Sequence, residues 1–134
     1  MEAKHTILIV DDESGSREAL KMILHPHYHV EEAEGGLQAL QFIRKKKIDV
    51  VTLDLRMPGM DGLAVLRAIK TYDSQIEVLI ITGYGTIKNA IELVRLGACV
   101  YLTKPFHISE VTHEIILAIE KRGRIDRLNR QFIG

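Results

Sequence analysis

The sequence predicts an α/β domain built on a parallel sheet, and three observations carry that prediction. Short apolar runs rich in β-branched residues recur as Ile7-Leu8-Ile9-Val10, Val50-Val51-Thr52-Leu53, Val78-Leu79-Ile80-Ile81 and Cys99-Val100-Tyr101-Leu102. Segments of helical period separate them, and strands alternating with helices imply parallel pairing. Finally, Asp11-Asp12, Asp54, Thr82 and Lys104-Pro105 each follow the C-terminal end of one run. Parallel strands all end on the same edge, where open α/β sheets bind their ligands, so these groups are expected to share one crevice.

The elements follow in order. After the first run, Ala19, Leu20, Ile23 and Leu24 fall on one helical face, with Ser14 as the expected cap. Tyr28 to Glu32 reads as a weaker strand. Leu37, Leu40 and Ile43 mark a second helix after Gly35-Gly36, and Leu63, Leu66 and Ile69 a third. Ile87, Ala90, Ile91 and Val94 mark a fourth, closed near Gly97, where a left-handed cap suits glycine. A long helical pattern runs from about Ile108 to Phe132, with His107 or Ser109 at its start and Glu110 in a capping-box-like relation. Within it Val111, Ile115, Ala118, Arg122, Ile125, Asn129 and Phe132 keep a four-three spacing, which a coiled coil would use. Arg122 and Asn129 interrupt that apolar seam and Gly123 weakens the helix by about 1 kcal/mol relative to Ala, so a frayed linker is the competing reading.

At 134 residues the chain has the size of a single domain, expected here over residues 1–121, with 122–134 as a helical extension or linker. Eighteen basic and eighteen acidic residues cancel, leaving no overall field to favour nucleic acid or an anionic membrane. The single Cys99 cannot form an intrachain disulfide, which suits a reducing compartment, and its apolar neighbours predict burial. No apolar stretch approaches the roughly 20 residues of a membrane span, and the residues after Met1-Glu2-Ala3-Lys4-His5 are too few for a signal-peptide core. A cytoplasmic protein without membrane contact is the expectation.

The clustered residues suggest their chemistry. Asp11, Asp12 and Asp54 would bring like charges together, which requires protonation or a cation. Oxygen ligands without imidazole or thiolate favour a hard ion, and Mg²⁺ suits a site with few carboxylates. A carboxylate that accepts a phosphoryl group gains oxygens needing positive charge and hydrogen-bond donors, which Lys104 and Thr82 could supply. Singly, each has an ordinary explanation: a turn or helix start for the aspartates, a solvated surface for the lysine, a strand position for the threonine.

Together, Asp11-Asp12, the stretch Leu53-Asp54-Leu55-Arg56-Met57-Pro58-Gly59-Met60-Asp61-Gly62, Thr82-Gly83 and Lys104-Pro105-Phe106 resemble the receiver domains of two-component response regulators, over about Lys4 to Lys121. The resemblance implies the flavodoxin-like (βα)5 fold with strand order 2-1-3-4-5. It implies Asp54 as phospho-acceptor, Mg²⁺ held by Asp11, Asp12, Asp54 and the backbone carbonyl of Arg56, and Thr82 and Lys104 on the acyl phosphate. It also implies a phosphohistidine donor on a sensor histidine kinase and a switch in which Thr82 moves and Tyr101 turns inward. That switch remodels the face of the fourth helix, fifth strand and fifth helix (α4-β5-α5), through which a homodimer is expected. For Tyr101 the sequence position alone suggests only a half-buried strand aromatic. Lys104-Pro105 resembles the family's cis-proline site, although an X-Pro bond read in isolation favours trans.

Ile81-Thr82-Gly83-Tyr84-Gly85-Thr86 and Arg95-Leu96-Gly97-Ala98 are similar to the NtrC-like branch, whose receivers commonly precede an ATPase module acting on sigma-54 polymerase and a DNA-binding module. Neither a Walker loop nor a helix-turn-helix is present, so the chain resembles a receiver cut from a larger transcriptional regulator or one that stands alone, with no nucleic-acid binding of its own.

Other chemistries fit less well. A phosphohydrolase with an aspartyl-phosphate intermediate needs a second acid two residues after the nucleophile, and that position is Arg56, which favours a signalling module over a turnover enzyme. A receiver-like domain that takes up no phosphoryl group is disfavoured by the intact acceptor and partner positions. His25-Pro26-His27-Tyr28-His29 could gather imidazoles around a transition metal, but a polar loop entering an edge strand explains it without one. Arg44-Lys45-Lys46-Lys47 closes a helix, where cations complement the dipole.

Overall fold

The computed structural model describes residues 4–57, 59, 61–83 and 87–133, the side chains of 87–89 and 124–133 excepted. Five strands, β1 (Thr6–Val10), β2 (His29–Ala33), β3 (Val50–Leu53), β4 (Glu77–Thr82) and β5 (Val100–Thr103), alternate with α1 (Ser14–Leu24), α2 (Gly36–Lys45), α3 (Gly62–Tyr72), α4 (Ile87–Arg95) and α5 (Ile108–Ile133). They form one parallel sheet in the order β2-β1-β3-β4-β5, the flavodoxin-like arrangement.

Strand alternation sorts the apolar residues onto two faces. Leu8 and Val10 of β1, Val51 and Leu53 of β3, and Val78 and Ile80 of β4 pack with Ala39, Ile43, Leu66, Ile69 and Leu93 from α2, α3 and α4. Ile7, Ile9, Val50, Leu79 and Ile81 face the other way, against Leu20 and Leu24 of α1 and Val111, Ile115 and Ala118 of α5. The central strands are therefore buried on both sides and their sequences are almost continuously apolar, as parallel strands require.

Several details differ from the sequence expectation. Ser14 is the first helical residue and Glu13 occupies the cap without a side-chain bond. Leu37 is exposed, because the buried face of α2 runs through Gly36, Ala39 and Ile43. On α4 the contact with the sheet is made by Leu93, while Ile91 and Val94 are 53% and 58% exposed. Cys99 is exposed rather than buried, since it precedes β5 at the sheet edge. Gly97 does close α4, at φ 104°, with its N–H and that of Ala98 donating to the carbonyls of Val94 and Leu93. The Lys104-Pro105 bond is cis, as the resemblance implied.

The last helix is continuous from Ile108 to Ile133, and Arg122, expected to interrupt its seam, is only 6% exposed. A boundary at Lys121 would thus fall beside a residue packed into the body of the domain. The seam positions Ile125, Asn129 and Phe132 lie outside the described side chains, as does Ile87. Pro58, Met60 and Tyr84-Gly85-Thr86 lie outside the described residues.

Candidate functional site

The site forms where β1, β3, β4 and β5 end together. Backbone bonds continue the ladder past the strands: Asp11 N–H donates to the Ala33 carbonyl at 3.1 Å, Asp54 N–H to Val10 at 3.0 Å, and Lys104 N–H to Thr82 at 3.0 Å. Asp11, Asp54 and Lys104 are therefore each held by a neighbouring strand. Asp11, Asp12 and Asp54 present carboxylate oxygens within 4.8 Å of one another, with Asp11 and Asp54 buried and Asp12 exposed. Among the described residues this is the one group of acids, histidines and cysteines so placed.

Asp54 is bonded at both oxygens. The Thr82 hydroxyl donates to Oδ1 at 2.7 Å, the Arg56 N–H donates to the same oxygen at 3.0 Å, and Lys104 Nζ donates to Oδ2 at 2.8 Å. Burial alone would raise this carboxyl, but the bonds from Lys104, Arg56 and Thr82 together outweigh it and hold its pKa below the usual value. Asp54 is consequently ionised at neutral pH. For Asp11 the balance tips the other way: burial raises the carboxyl, the bonds from Lys104 and the Glu13 N–H only partly offset it, and the nearby Asp54 charge adds to the rise. Burial would weaken the Lys104 ammonium, yet its bonds to Asp11, Asp54 and Glu13 raise its pKa well above the ordinary lysine value.

Lys104 thus spans three carboxylates, at 2.8 Å from Asp11 Oδ2, 2.8 Å from Asp54 Oδ2 and 3.0 Å from Glu13 Oε1. Glu13 was missed in the sequence, although it directly follows the Asp11-Asp12 pair and could have been counted as a third acid. Arg17 was missed as well; its guanidinium donates to the Asp11 carbonyl at 2.8 Å and pairs with Glu32 and Glu34, fixing the turn that aims Asp11. An open cleft of about 800 Å³ lies over the site, lined among others by Asp12, Glu13, Arg56, Lys104 and Phe106.

The start of α3 comes back close to Leu55. An added Cβ on Gly62, the first residue of α3, would stand 2.6 Å from Leu55 Cα and 2.8 Å from its carbonyl oxygen. Only glycine permits this approach. Asp61 caps α3 by accepting the Leu63 N–H, so the segment from Asp54 to α3 is anchored at both ends.

A family model for the response regulator receiver domain matches residues 7–116. The chain belongs to this family. The receiver domain is 42% identical over 106 residues to sporulation initiation phosphotransferase F of Bacillus subtilis, covering 78% of this chain and 86% of that protein. It is 41% identical over 106 residues to the transcriptional regulatory protein ZraR of Klebsiella oxytoca, covering 78% of this chain and 24% of the relative. The structure of NtrX from Brucella abortus matches it with a TM-score of 0.89 at 29% identity, over 99% of this chain and 31% of that one. The receiver therefore spans about a quarter to a third of ZraR and NtrX, and it is similar both to these NtrC-like regulators and to the chemotaxis protein CheY of Bacillus subtilis. Receivers bind Mg²⁺ at an acidic pocket and work with histidine kinases.

Tyr101, the expected switch aromatic, is half-buried and packs against the core on the α4 side of the sheet. The structure does not gather the His25, His27 and His29 imidazoles into a group: His29 instead meets Glu31 at 3.1 Å and His27 packs edge-on to Tyr28. Lys46, within the basic run, pairs with Glu31 at 2.7 Å. Among the described residues no helix is long and apolar enough to cross a membrane.

Proposed function

We propose that Asp54 accepts a phosphoryl group from a phosphohistidine of a sensor histidine kinase. An ionised Asp54 oxygen attacks phosphorus, the phosphorus–nitrogen bond breaks, and the imidazole leaves with the electron pair. The observation that carries this reading is the bonding of Asp54 itself, with Lys104 at 2.8 Å and the Thr82 hydroxyl at 2.7 Å on opposite oxygens. An ammonium and a hydroxyl are the kinds of donor that the oxygens of a transferred phosphoryl group need, and their closeness to Asp54 supports the reading. Lys104 supplies charge and Thr82 a hydroxyl whose position reports the modification, with Tyr101 following it on the same side of the sheet.

Asp11, Asp12, Asp54 and the backbone carbonyl of Arg56 would hold Mg²⁺. The all-oxygen donor set of the three aspartates fits a hard cation, which supplies charge neutralisation to a site with one ammonium among several carboxylates. The position two residues after Asp54, where a phosphohydrolase would carry its second acid, is Arg56, which supports signalling over turnover and stands against a small phosphohydrolase.

Exposed Ile91 and Val94 on α4, with Ile116 and Leu117 on α5, support self-association through the α4-β5-α5 face once the site is modified. The output we infer is transcriptional, exerted by another part of a regulator, with no nucleic-acid or membrane contact by this domain, in the cytoplasm. Intact mass after incubation with a small acyl phosphate tests the central reaction. One phosphoryl group should be added when Mg²⁺ is present and none to Asp54→Asn. Full modification of Asp54→Asn, or uptake indifferent to divalent ions, would overturn the assignment.

A further inference from the structure

The edge of the sheet opposite the phosphoryl site holds a second cluster of buried charges. Along α5 the positions facing the sheet are Val111, Ile115 and Ala118, all at most 3% exposed, and the next position at the same spacing is Arg122, at 6%. Its Nε lies 3.1 Å from Asp49 Oδ1 and its Nη2 3.9 Å from Asp73 Oδ2. Asp49, immediately before β3, is itself fixed: Oδ2 accepts the Thr6 N–H at 2.9 Å and faces His5 Nδ1 at 3.6 Å, while its backbone bonds Thr6 and Glu77. Lys121 reaches Oε2 of Glu77, 2% exposed at the start of β4, at 3.5 Å. Two successive α5 residues therefore bring cations to two buried carboxylates at strand starts.

Taking a charge out of water costs several kcal/mol, and leaving one partner of a buried pair without the other is strongly destabilising, so the pair favours the arrangement in which both partners meet. Arg122 Nε and Nη1 make no aligned hydrogen bond among the described residues, so the contact is chiefly coulombic and directed at two carboxylates on different elements. It stands where α5 needs holding. Gly123 follows directly, weakening the helix by about 1 kcal/mol relative to Ala, yet the backbone stays helical to Ile133.

We propose that Arg122 is a positioning residue that anchors α5 to the starts of β1 and β3 and the end of α3, and so fixes the direction in which residues 123–133 leave the domain. The domain then includes Arg122, and the helix beyond it is a stiff arm of about 16 Å at helical rise. The anchor touches no phosphoryl-site residue, and it is independent of how Asp54 is modified.

Hydrogen exchange of the full chain tests this with Asp49→Asn/Arg122→Met, which removes the charges together and keeps an acceptor for the Thr6 N–H. Exchange across 123–127 should rise at least tenfold, while residues 111–118 stay protected and Asp54 still takes up one phosphoryl group. In the unsubstituted chain 1 M NaCl should leave 123–127 protected, because a buried pair is poorly screened. Unchanged exchange at 123–127 in the variant, equal loss over 111–118, or loss of wild-type protection in salt would each overturn the anchor. Should the double variant fail to fold, Asp73→Asn decides: this partner is 36% exposed and removable at low risk to the fold. A rise confined to 123–127 supports the proposal and no rise refutes it.

Discussion

Replacing Lys104 by Met should destabilise the domain in a strongly pH-dependent way. Lys104 Nζ pairs with both Asp11 and Asp54, whose side chains are 3% and 4% exposed. Their oxygens lie within 4.8 Å, a separation at which two like charges repel by about 3 kcal/mol at an effective dielectric constant of 20. Removing one partner of a buried pair costs a similar 3 to 5 kcal/mol, so a loss of about 3 kcal/mol is expected at pH 7 without divalent ions. The Asp54 carboxyl lies below its ordinary value of 3.8 in the wild type, so its contribution is present above that value and fades as pH falls through the lower folded one. Without Lys104 both carboxyls rise, and one takes up a proton on mild acidification, relieving the repulsion. The difference between the proteins should therefore shrink to about 1 kcal/mol near pH 4.5. Urea unfolding followed by far-ultraviolet circular dichroism at both pH values measures it. An equal loss at pH 7 and pH 4.5, or under about 0.5 kcal/mol at pH 7, would refute the electrostatic account.

Thr82→Ala should lose about 1 kcal/mol from the buried bond to Asp54 and still take up a phosphoryl group, while its amide spectrum shifts less than wild type on adding beryllofluoride; identical shifts would remove Thr82 from the switch. Gly62→Ala should lower stability by about 1 to 3 kcal/mol, read by thermal melting, and slow phosphoryl uptake, because the new methyl must push Leu55 and with it the backbone between Asp54 and Arg56. Ile91→Lys with Val94→Lys should keep the domain monomeric in sedimentation under conditions where the beryllofluoride-treated wild type associates, with uptake by Asp54 unaltered.

The sheet was legible because parallel strands buried on two faces must be apolar throughout, and the four site positions were legible because strand ends in such a sheet converge. Helix faces were harder to read. On α2 the small residues Gly36 and Ala39 pack inward where Leu37 is the larger apolar side chain, and on α4 Leu93 is fully buried while the equally apolar Ile91 and Val94 are exposed. Size and apolarity do not reveal which side of a short helix touches a sheet when both sides carry such residues. Arg122 escaped notice for a related reason: a charged residue in an apolar stripe reads as an interruption until its distant carboxylates are known. Glu13 could have been counted with its acidic neighbours, but its pairing needed the fold, since Lys104 lies 91 residues away.

That separation has a consequence for when activity can exist. The bond from Lys104 to Asp11 joins positions 93 residues apart, and the strands bearing them enclose β3 and β4 between them. The ammonium follows directly on β5, the last strand to be synthesised, so it reaches the carboxylates after the other site residues have been made. Contacts this distant in sequence form only after most of the chain has been ordered. On the proposed transfer, a chain ending before β5 lacks the Lys104 ammonium and should take up no phosphoryl group.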